Sequence, residues 1–331
     1  MNLNGSNSYG TDRSLTIENT SVTFPMVVSF ASTGTTPITG SSLRNCNVIN
    51  GSNAATSSTP AVILSDVNVN PAGFSFPSGY FTNISIQNNS IHKSWIGIQA
   101  AGVASTGNGN GLWIDGNSLN DTTVNSIGNI GIQIYGVDGA YIANNNVGNI
   151  VTPVSGGSLP TGIAIASQTI NTTVTNNTIG PMNFTTASSG PVGISISTGN
   201  ANSNLIISSN TISGIKINQP VVLNGITISG QTGNVLITKN KIYDIKNTDT
   251  LSASTYGAYA ISLGSSLTAA NITLSNNFIW DVAANGRAST SFHNGYGVYI
   301  SGGGGYNLYH NTISLTTNQR LVTGLPACIN I

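Results

Sequence analysis

"ISIQNNSI", residues 84–91, combines the alternation of a β-strand with two adjacent asparagines, Asn88 and Asn89. Its core is a six-position template: an apolar residue, any residue, two turn positions, any residue and a second apolar residue. The template recurs ten times, beginning at Ile17, Leu43, Ile86, Ile114, Ile142, Val174, Ile207, Ile237, Leu274 and Leu308. Successive copies are 26 to 43 residues apart. Self-similarity at this spacing predicts a solenoid in which each turn carries one copy.

The fourth template position is asparagine in eight of the ten copies, with Thr20 and Cys46 in the first two. The eight are Asn89, Asn117, Asn145, Asn177, Asn210, Asn240, Asn277 and Asn311. A side chain at the same corner of every coil can donate its amide NH2 to a carbonyl of the adjacent coil. We therefore predict a buried asparagine ladder. The residue before it, as in Asn88 and Asn144, is expected to take the left-handed backbone of a tight bend.

Two further apolar steps accompany each asparagine corner. A Gly-Ile-x-Ile type motif precedes most copies, starting at Gly97, Gly131, Gly162, Gly193, Gly225 and Gly297. A third step follows the corner, as in Ile212 to Ile215 and Ile242 to Ile245. Alternation over so few residues predicts short strands that stack on their equivalents in the next coil. The sequence thus predicts an all-β parallel β-helix of about ten coils, about 48 Å long at the inter-strand spacing.

Composition supports this architecture and excludes several partners. Only 5% of the residues are charged, with nine basic and nine acidic side chains and 39 glycines. Helix-favouring stretches are missing, and no basic surface is expected for nucleic acid. No apolar run is long enough to insert in a membrane. The repeat runs from Ile17 to Leu308 without a linker, so we expect a single domain over 1–331.

The two ends of the chain resemble the interior of a longer repeat array. Met1 to Gly5 reads as part of an earlier coil, and the chain stops within the strand-like stretch 327–331. We expect this chain to be a segment of a longer protein. Open strand edges should accept adjacent repeats of the parent chain, or a second copy end to end.

The Gly-Ile-x-Ile strands and "NNTI" corners resemble right-handed parallel β-helix repeats of the pectate-lyase-like superfamily. The chain is most similar to repetitive β-helix regions of large secreted Bacteroidetes surface proteins. The resemblance implies export and a bacterial extracellular or cell-surface location. These motifs belong to the scaffold and are shared by enzymes, adhesins and fibres, so they do not specify an activity.

Catalytic motifs of that superfamily are missing from the sequence. Polygalacturonase-like members use three clustered aspartates, a His-Gly and an Arg-x-Lys, whereas pectate-lyase-like members use a calcium-binding carboxylate group and an arginine base. This chain has no Asp-Asp, His-Gly or Arg-x-Lys. Glycoside chemistry needs at least two converging carboxyl groups, so we expect no enzymatic activity.

Asp244 and Asp281 take the same template position in consecutive copies, which predicts a separation of about 5 Å. They are either a cation site or acid/base pair, or two solvated side chains, and we favour the solvated pair. His92, His293 and His310 show no metal-ligand spacing. Calcium bound by loop carbonyls and an aspartate stays open as a cofactor. Cys46 and Cys328 fall about eight coils apart, so we expect free thiols.

Residues that face outward in successive strands form columns on the surface. The column of the first strand, from Gln99 to Tyr299, is predicted to be a flat polar strip. The column of the second strand contains Trp113 and Tyr141 in consecutive coils. Exposed stacked aromatics suit a sugar ring; the alternative is that the long loop with Phe74, Phe76, Tyr80 and Phe81 covers them.

A second aromatic group, which includes Tyr299, Tyr309 and Trp280, occupies the last two coils as a glycan platform or docking surface. The sequence therefore predicts an exported structural β-solenoid, serving as adhesin, stalk or fibre element, with glycan bound through aromatic strips. A polysaccharide lyase or glycoside hydrolase of the same fold is the alternative.

Overall fold

Three long parallel sheets extend from the first coil to the last, because each coil contributes one short strand to each of them. The structure is a computed structural model, and it describes residues 1–7, 10–73, 75–151, 159–185, 189–249, 257–284, 294–317 and 326–331. The chain is a right-handed parallel β-helix, as predicted. Sheets A and C contain ten strands each, in agreement with the prediction of about ten coils.

The strands are numbered in chain order. Sheet A contains β1 (Asn2–Asn4), β5 (Ser42–Arg44), β9 (Ser85–Gln87), β12 (Trp113–Asp115), β15 (Tyr141–Ala143), β18 (Thr173–Thr175), β22 (Leu205–Ser208), β25 (Val235–Thr238), β28 (Ile272–Ser275) and β31 (Tyr306–Tyr309). Sheet B contains β2 (Leu15–Glu18), β6 (Cys46–Ile49), β10 (Ser90–His92), β13 (Ser118–Leu119), β16 (Asn146–Val147), β19 (Thr178–Ile179), β23 (Thr211–Ile217), β26 (Lys241–Asn247), β29 (Phe278–Ala283) and β32 (Thr312–Ser314), and β20 (Met182–Phe184) also pairs with β23. Sheet C contains β3 (Val28–Ser32), β7 (Pro60–Asp66), β11 (Ile96–Ala101), β14 (Ile130–Tyr135), β17 (Thr161–Ile165), β21 (Val192–Ile196), β24 (Leu223–Gly230), β27 (Ala258–Ser265), β30 (Gly295–Ile300) and β33 (Ala327–Asn330). A small parallel pair joins β4 (Ile38–Thr39) to β8 (Phe81–Thr82).

Helix is almost missing from the described residues, where one turn of 3₁₀ helix spans Pro71–Gly73. None of the helical structure described is long and apolar enough to span a bilayer. Branched aliphatic residues fill the space between the three sheets, because alternate residues of every strand point inward. Ile86, Ile114 and Ile142, for example, are stacked in register and fully buried.

The asparagine ladder is present, and all eight predicted asparagines take part in it. Asn117 shows the repeating pattern: its Nδ2 donates to Oδ1 of Asn145 at 3.0 Å and to the carbonyl of Ile86, in the preceding coil, at 2.8 Å. The Asn117 backbone N–H also donates to Oδ1 of Asn145. The residues before the ladder positions have φ near +50°, including Asn88 and Asn144. The inward amide and the left-handed bend are therefore both confirmed.

The glycine of the Gly-Ile-x-Ile motif is explained by contact between sheets C and B. A Cβ on Gly193 would lie 2.5 Å from the carbonyl oxygen of Gly225 and 2.6 Å from Cγ2 of Ile212. Gly162 and Gly225 meet the equivalent atoms, which are the carbonyl oxygen of the next strand in sheet C and Cγ2 of an isoleucine in sheet B. The motif is thus a packing requirement, because there is no room for a side chain where the two sheets approach.

The first copy of the template was assigned to the wrong sheet. Ile17 was aligned with Leu43, but the structure pairs Leu3 with Leu43 and Ile17 with Val48. Met1 to Gly5 is thus the sheet A strand of the first coil and its exit, and Thr16 lies on sheet B. The predicted free thiols are confirmed: Cys46 is buried and Cys328 is exposed.

Candidate functional site

The outward column of sheet A presents a pair of aromatic rings. Trp113 and Tyr141 are in register on β12 and β15, with ring centroids 4.8 Å apart and planes inclined by 46°. Trp113 is 45% exposed. Ser85 and Thr173 stand in the same column on either side. The pair therefore forms an open apolar surface within a polar sheet face.

The long loop before β9 does not bury this pair. Phe81 points into the core and is fully buried. The carbonyl of Phe76 accepts a hydrogen bond from the hydroxyl of Tyr135 at 3.3 Å, which places that part of the loop beside sheet C. Phe74 lies outside the described residues. The exposure of Trp113 follows from this path.

Farther along the same column, Ile206 and Leu236 stand in register. They line a shallow depression of 320 Å³, together with Asn204, Asn234 and Thr273 among others. Asparagines at this bend form a second, external ladder that the sequence analysis missed. Nδ2 of Asn204 donates to Oδ1 of Asn171 at 2.8 Å, and both residues have positive φ. The recurring asparagine or glycine two residues before the outward column was the signal for it.

Sheet B carries an aromatic patch of Tyr243, Phe278 and Trp280. Tyr243 and Trp280 are in register on β26 and β29, and their rings stack with centroids 4.2 Å apart and planes inclined by 8°. Phe278 packs on Trp280 with centroids 4.5 Å apart, and it is 44% exposed. Only Trp280 was predicted here, although Tyr243 occupies the same template position one copy earlier.

Tyr299 is not an exposed residue of sheet C. It is 9% exposed, and its ring is tilted against that of Tyr259 at 4.5 Å and stacks with that of Tyr296 at 5.7 Å between centroids. Burial, with smaller contributions from the neighbouring tyrosines, raises the pKa of the Tyr259 phenol. Gln99 is also buried, whereas column residues between these two, such as Gln133, Ser195 and Thr227, are half-buried. The expected polar strip of sheet C is therefore closed at Gln99 and at Tyr299. Tyr309, on the last strand of sheet A, is 54% exposed.

Asp244 and Asp281 follow each other in the same bend of sheet B, as predicted, but lysines lie between and beside them. Lys246 Nζ lies 2.9 Å from Oδ1 of Asp244 and 2.7 Å from Oδ2 of Asp281. Lys216 Nζ lies 2.7 Å from Oδ2 of Asp244. The protein's own ammonium groups thus balance this pair, which removes the argument for a metal ion or an acid/base pair there.

Burial works against the charge of Asp281, but hydrogen bonds from Lys246 and Thr317 outweigh it and hold the pKa of this carboxyl below its usual value. The pKa of Lys246 is raised because its hydrogen bonds to Asp281 and Asp244 outweigh the cost of burial. Within the described ranges, no three His, Cys, Asp or Glu side chains gather where they could hold a metal ion. His293 lies outside those ranges.

The fold and these surfaces define a right-handed parallel β-helix with exposed aromatic clusters. Among solved structures, the Dettilon tailspike protein aligns with 93% of this chain at 14% identity and a TM-score of 0.52. The Streptococcus pneumoniae surface protein and adhesin PfbA aligns with 95% at 13% identity and a TM-score of 0.36. The Agl-KA catalytic domain aligns with 95% at 14% identity and a TM-score of 0.28.

This chain spans 60% of the tailspike chain, 66% of the adhesin chain and 61% of the catalytic domain. At such identities the likeness shows a common fold and nothing more specific. No protein-family description and no curated protein matches the sequence.

Proposed function

We propose that this chain is a structural β-helix rod of an exported protein and that it binds polysaccharide through exposed aromatic side chains. It works outside a bacterial cell or on its surface, as an adhesin, stalk or fibre element. The observation that carries the proposal is the Trp113 and Tyr141 pair, which lies open on the flat face of sheet A. The similarity to a tailspike protein is in keeping with such a location.

The rigidity of a rod is supported by contacts that repeat in every coil. The internal ladder joins the coils from Asn89 to Asn311 by side-chain hydrogen bonds, and the core beside it is continuous. Each coil is held by its neighbours on both sides, so local opening breaks contacts at two interfaces. A scaffold of this kind keeps surface groups at fixed spacing along its axis.

Saccharide binding is supported by the chemistry of the exposed rings. The CH faces of a sugar are apolar and pack on an aromatic π-surface, while its hydroxyls need polar partners nearby. Trp113 and Tyr141 supply the aromatic surface, and hydroxyls of Ser85 and Thr173 in the same column supply the polar partners. With no net charge on the chain, we expect neutral polysaccharides to be preferred over strongly acidic ones.

The test is affinity electrophoresis of the folded chain in gels that contain neutral or acidic polysaccharides. One neutral polymer should retard the parent chain, and Trp113→Ala should weaken retardation roughly tenfold. Trp113→Phe, which keeps a ring, should retain most of the binding. Val124→Ala serves as the control, because Val124 is 81% exposed and lies in the segment between β13 of sheet B and β14 of sheet C, not on sheet A. Equal retardation of Trp113→Ala and the parent by every polymer, or none of either, contradicts the proposal.

The rod is proposed to leave glycosidic bonds intact. A lyase or hydrolase would need converging carboxyl groups, and the pair that came nearest to that requirement, Asp244 and Asp281, is engaged by Lys246. Release of reducing or unsaturated sugar ends from the same panel of polymers would instead favour the alternative of a polysaccharide-active enzyme.

A further inference from the structure

Three polar side chains meet on the outer face of sheet B, at a place where the sequence suggested nothing. Ser90 and His92 are two residues apart on β10, so both side chains leave the sheet on the same side. Asp121 follows β13 in the next coil and reaches back to them. The three residues are separated by as much as 31 positions in sequence, and only the winding of the coil brings them together.

The three groups form a linear chain of hydrogen bonds. Ser90 Oγ lies 2.8 Å from Nε2 of His92, and Nδ1 of His92 lies 2.9 Å from Oδ2 of Asp121. The side chains of His92 and Asp121 are 20% and 16% exposed, and Ser90 is partly exposed. The site is sheltered but open to solvent.

The carboxylate decides which ring nitrogen of His92 carries the proton. An ionised carboxylate only accepts hydrogen bonds, so Nδ1 must donate to Asp121 and Nε2 is left to accept from the Ser90 hydroxyl. Burial opposes ionisation of Asp121, but hydrogen bonds from Thr123 and His92 hold its pKa below the usual value. Thr123 donates through its N–H at 2.7 Å and its hydroxyl at 2.6 Å to Oδ1, which fixes the carboxylate and leaves Oδ2 for the ring.

We propose that Ser90, His92 and Asp121 form a nucleophilic site that hydrolyses esters of small acyl groups. A hydroxyl bonded to an imidazole whose other nitrogen is held by a carboxylate is recognised by its geometry and roles, whatever the fold. The open, shallow setting on a sheet face suits a short acyl group carried on a larger alcohol such as a sugar. The site lies on sheet B, away from the Trp113 pair on sheet A, and does not depend on it.

The reaction consumes an ester and water. Ser90 Oγ attacks the acyl carbonyl carbon as its proton passes to Nε2 of His92, and the resulting imidazolium is stabilised by Asp121. Collapse of the tetrahedral adduct breaks the bond to the alcohol, which takes the proton from Nε2 and leaves an acyl ester on Ser90. Water then attacks that ester and gives a proton to Nε2. Collapse of the second adduct breaks the bond to Oγ, which takes that proton back from Nε2, and releases the carboxylic acid and the free serine.

The experiment treats the folded chain with a fluorophosphonate probe, maps the label by peptide mass spectrometry, and measures hydrolysis of p-nitrophenyl acetate. The label should be on Ser90. Ser90→Ala and His92→Ala should each lower turnover by at least about tenfold. Ser118→Ala is the matched control, because Ser118 is the register partner of Ser90 in the following coil.

Absence of label, or label on another residue of the wild-type chain, overturns the proposal without recourse to any variant. So does full turnover in Ser90→Ala, because the imidazole would then be acting without the serine. Strand circular dichroism of each variant confirms that the coil is intact, and the saccharide gels report on the other surface independently.

Discussion

At the residue scale, the asparagine of each corner stabilises three coils at once. Oδ1 of Asn177 accepts from the N–H and Nδ2 of Asn145 at 3.0 and 2.9 Å. Nδ2 of Asn177 donates to Oδ1 of Asn210 and to the carbonyl of Ile142, both at 3.0 Å. The side chain is 1% exposed, so water cannot replace these partners. An amide is the only uncharged side-chain group that both donates twice and accepts here.

Asn177→Leu should therefore destabilise the chain by about 1 to 3 kcal/mol, because the N–H of Asn145 and the carbonyl of Ile142 lose their side-chain partner in a buried place. The measurement is the urea unfolding midpoint. Thr178→Leu introduces the same side chain at the next position, which is exposed, and should leave the midpoint nearly unchanged. If Asn177→Leu unfolds at the same urea concentration as the parent, the ladder contributes little to the stability of the fold.

The ladder could be predicted from the sequence because its residues share one template position, whereas the Ser90 cluster could not. Ser90 and His92 were visible on one strand, but Asp121 is in an irregular segment after β13 whose path no periodicity fixes. The predicted exposure of Tyr299 was wrong for a related reason. Its outward direction followed from alternation, but its burial depends on stacking with Tyr259 and Tyr296, which are outside the template.

At the element scale, strands β23, β26 and β29 are longer than their predecessors in sheet B and bend in the middle. The bend residue is Gly214, Asp244 or Asp281, each with φ between 52° and 67°. Glycine and aspartate tolerate this left-handed conformation better than other residues. The bend turns the two carboxylates toward Lys216 on β23 and Lys246 on β26, which produces the ion-pair row.

The ion-pair row should make stability depend on pH at both ends of the scale. The lowered pKa of Asp281 stabilises the fold above about pH 4, its unfolded value, and this contribution is lost as pH falls through the folded pKa. The raised pKa of Lys246 stabilises the fold below about pH 10, and this contribution is lost as pH rises through the folded pKa.

Lys246→Met should consequently lower the free energy of unfolding at pH 7, by no more than about 1 kcal/mol because the ion pair is partly solvated. The difference in free energy of unfolding between parent and variant should narrow at a low pH, after the pH has fallen through the lowered pKa of Asp281. Lys241→Met is the control, since Lys241 is exposed on the same strand and has no ion-pair partner among the described residues. A difference in free energy that is equal at both pH values would show that Lys246 acts only through packing of its aliphatic side-chain carbons.

The first coil shows why a short template misplaces elements. A six-position pattern of apolar and turn residues also occurs by chance, and Ile17-Glu18-Asn19-Thr20 satisfied it. The pairing of β2 with β6 instead follows from β1, which already occupies the place beside β5. Where eight consecutive copies carried asparagine, from Asn89 to Asn311, the register predicted for sheet A was correct.

At the scale of the whole molecule, each of the three sheets has an edge strand at both ends of the rod. In the described part of the chain, β1, β2 and β3 pair on one side only, as do β31, β32 and β33. The last strand of sheet C has no charged side chain, and Ile329 within it is 45% exposed. Ile331, which follows the strand, is 92% exposed. Unpaired N–H and C=O groups beside exposed apolar side chains favour the addition of another strand.

We therefore expect the 331-residue chain to associate end to end, with the last coil of one molecule against the first coil of the next. Such a contact joins two different surfaces and does not close, so it extends into filaments whose length rises with concentration. Ile329→Lys combined with Ile331→Lys should suppress association, because charge at the edge opposes strand addition. Val124→Lys combined with Val151→Lys adds the same charge at exposed apolar positions in the middle of the rod, 81% and 43% exposed, and should not. Light scattering from the parent chain over a hundredfold range of concentration is the measurement. A constant monomer mass throughout would contradict the prediction, and it would indicate that the ends are covered by segments outside the described strands.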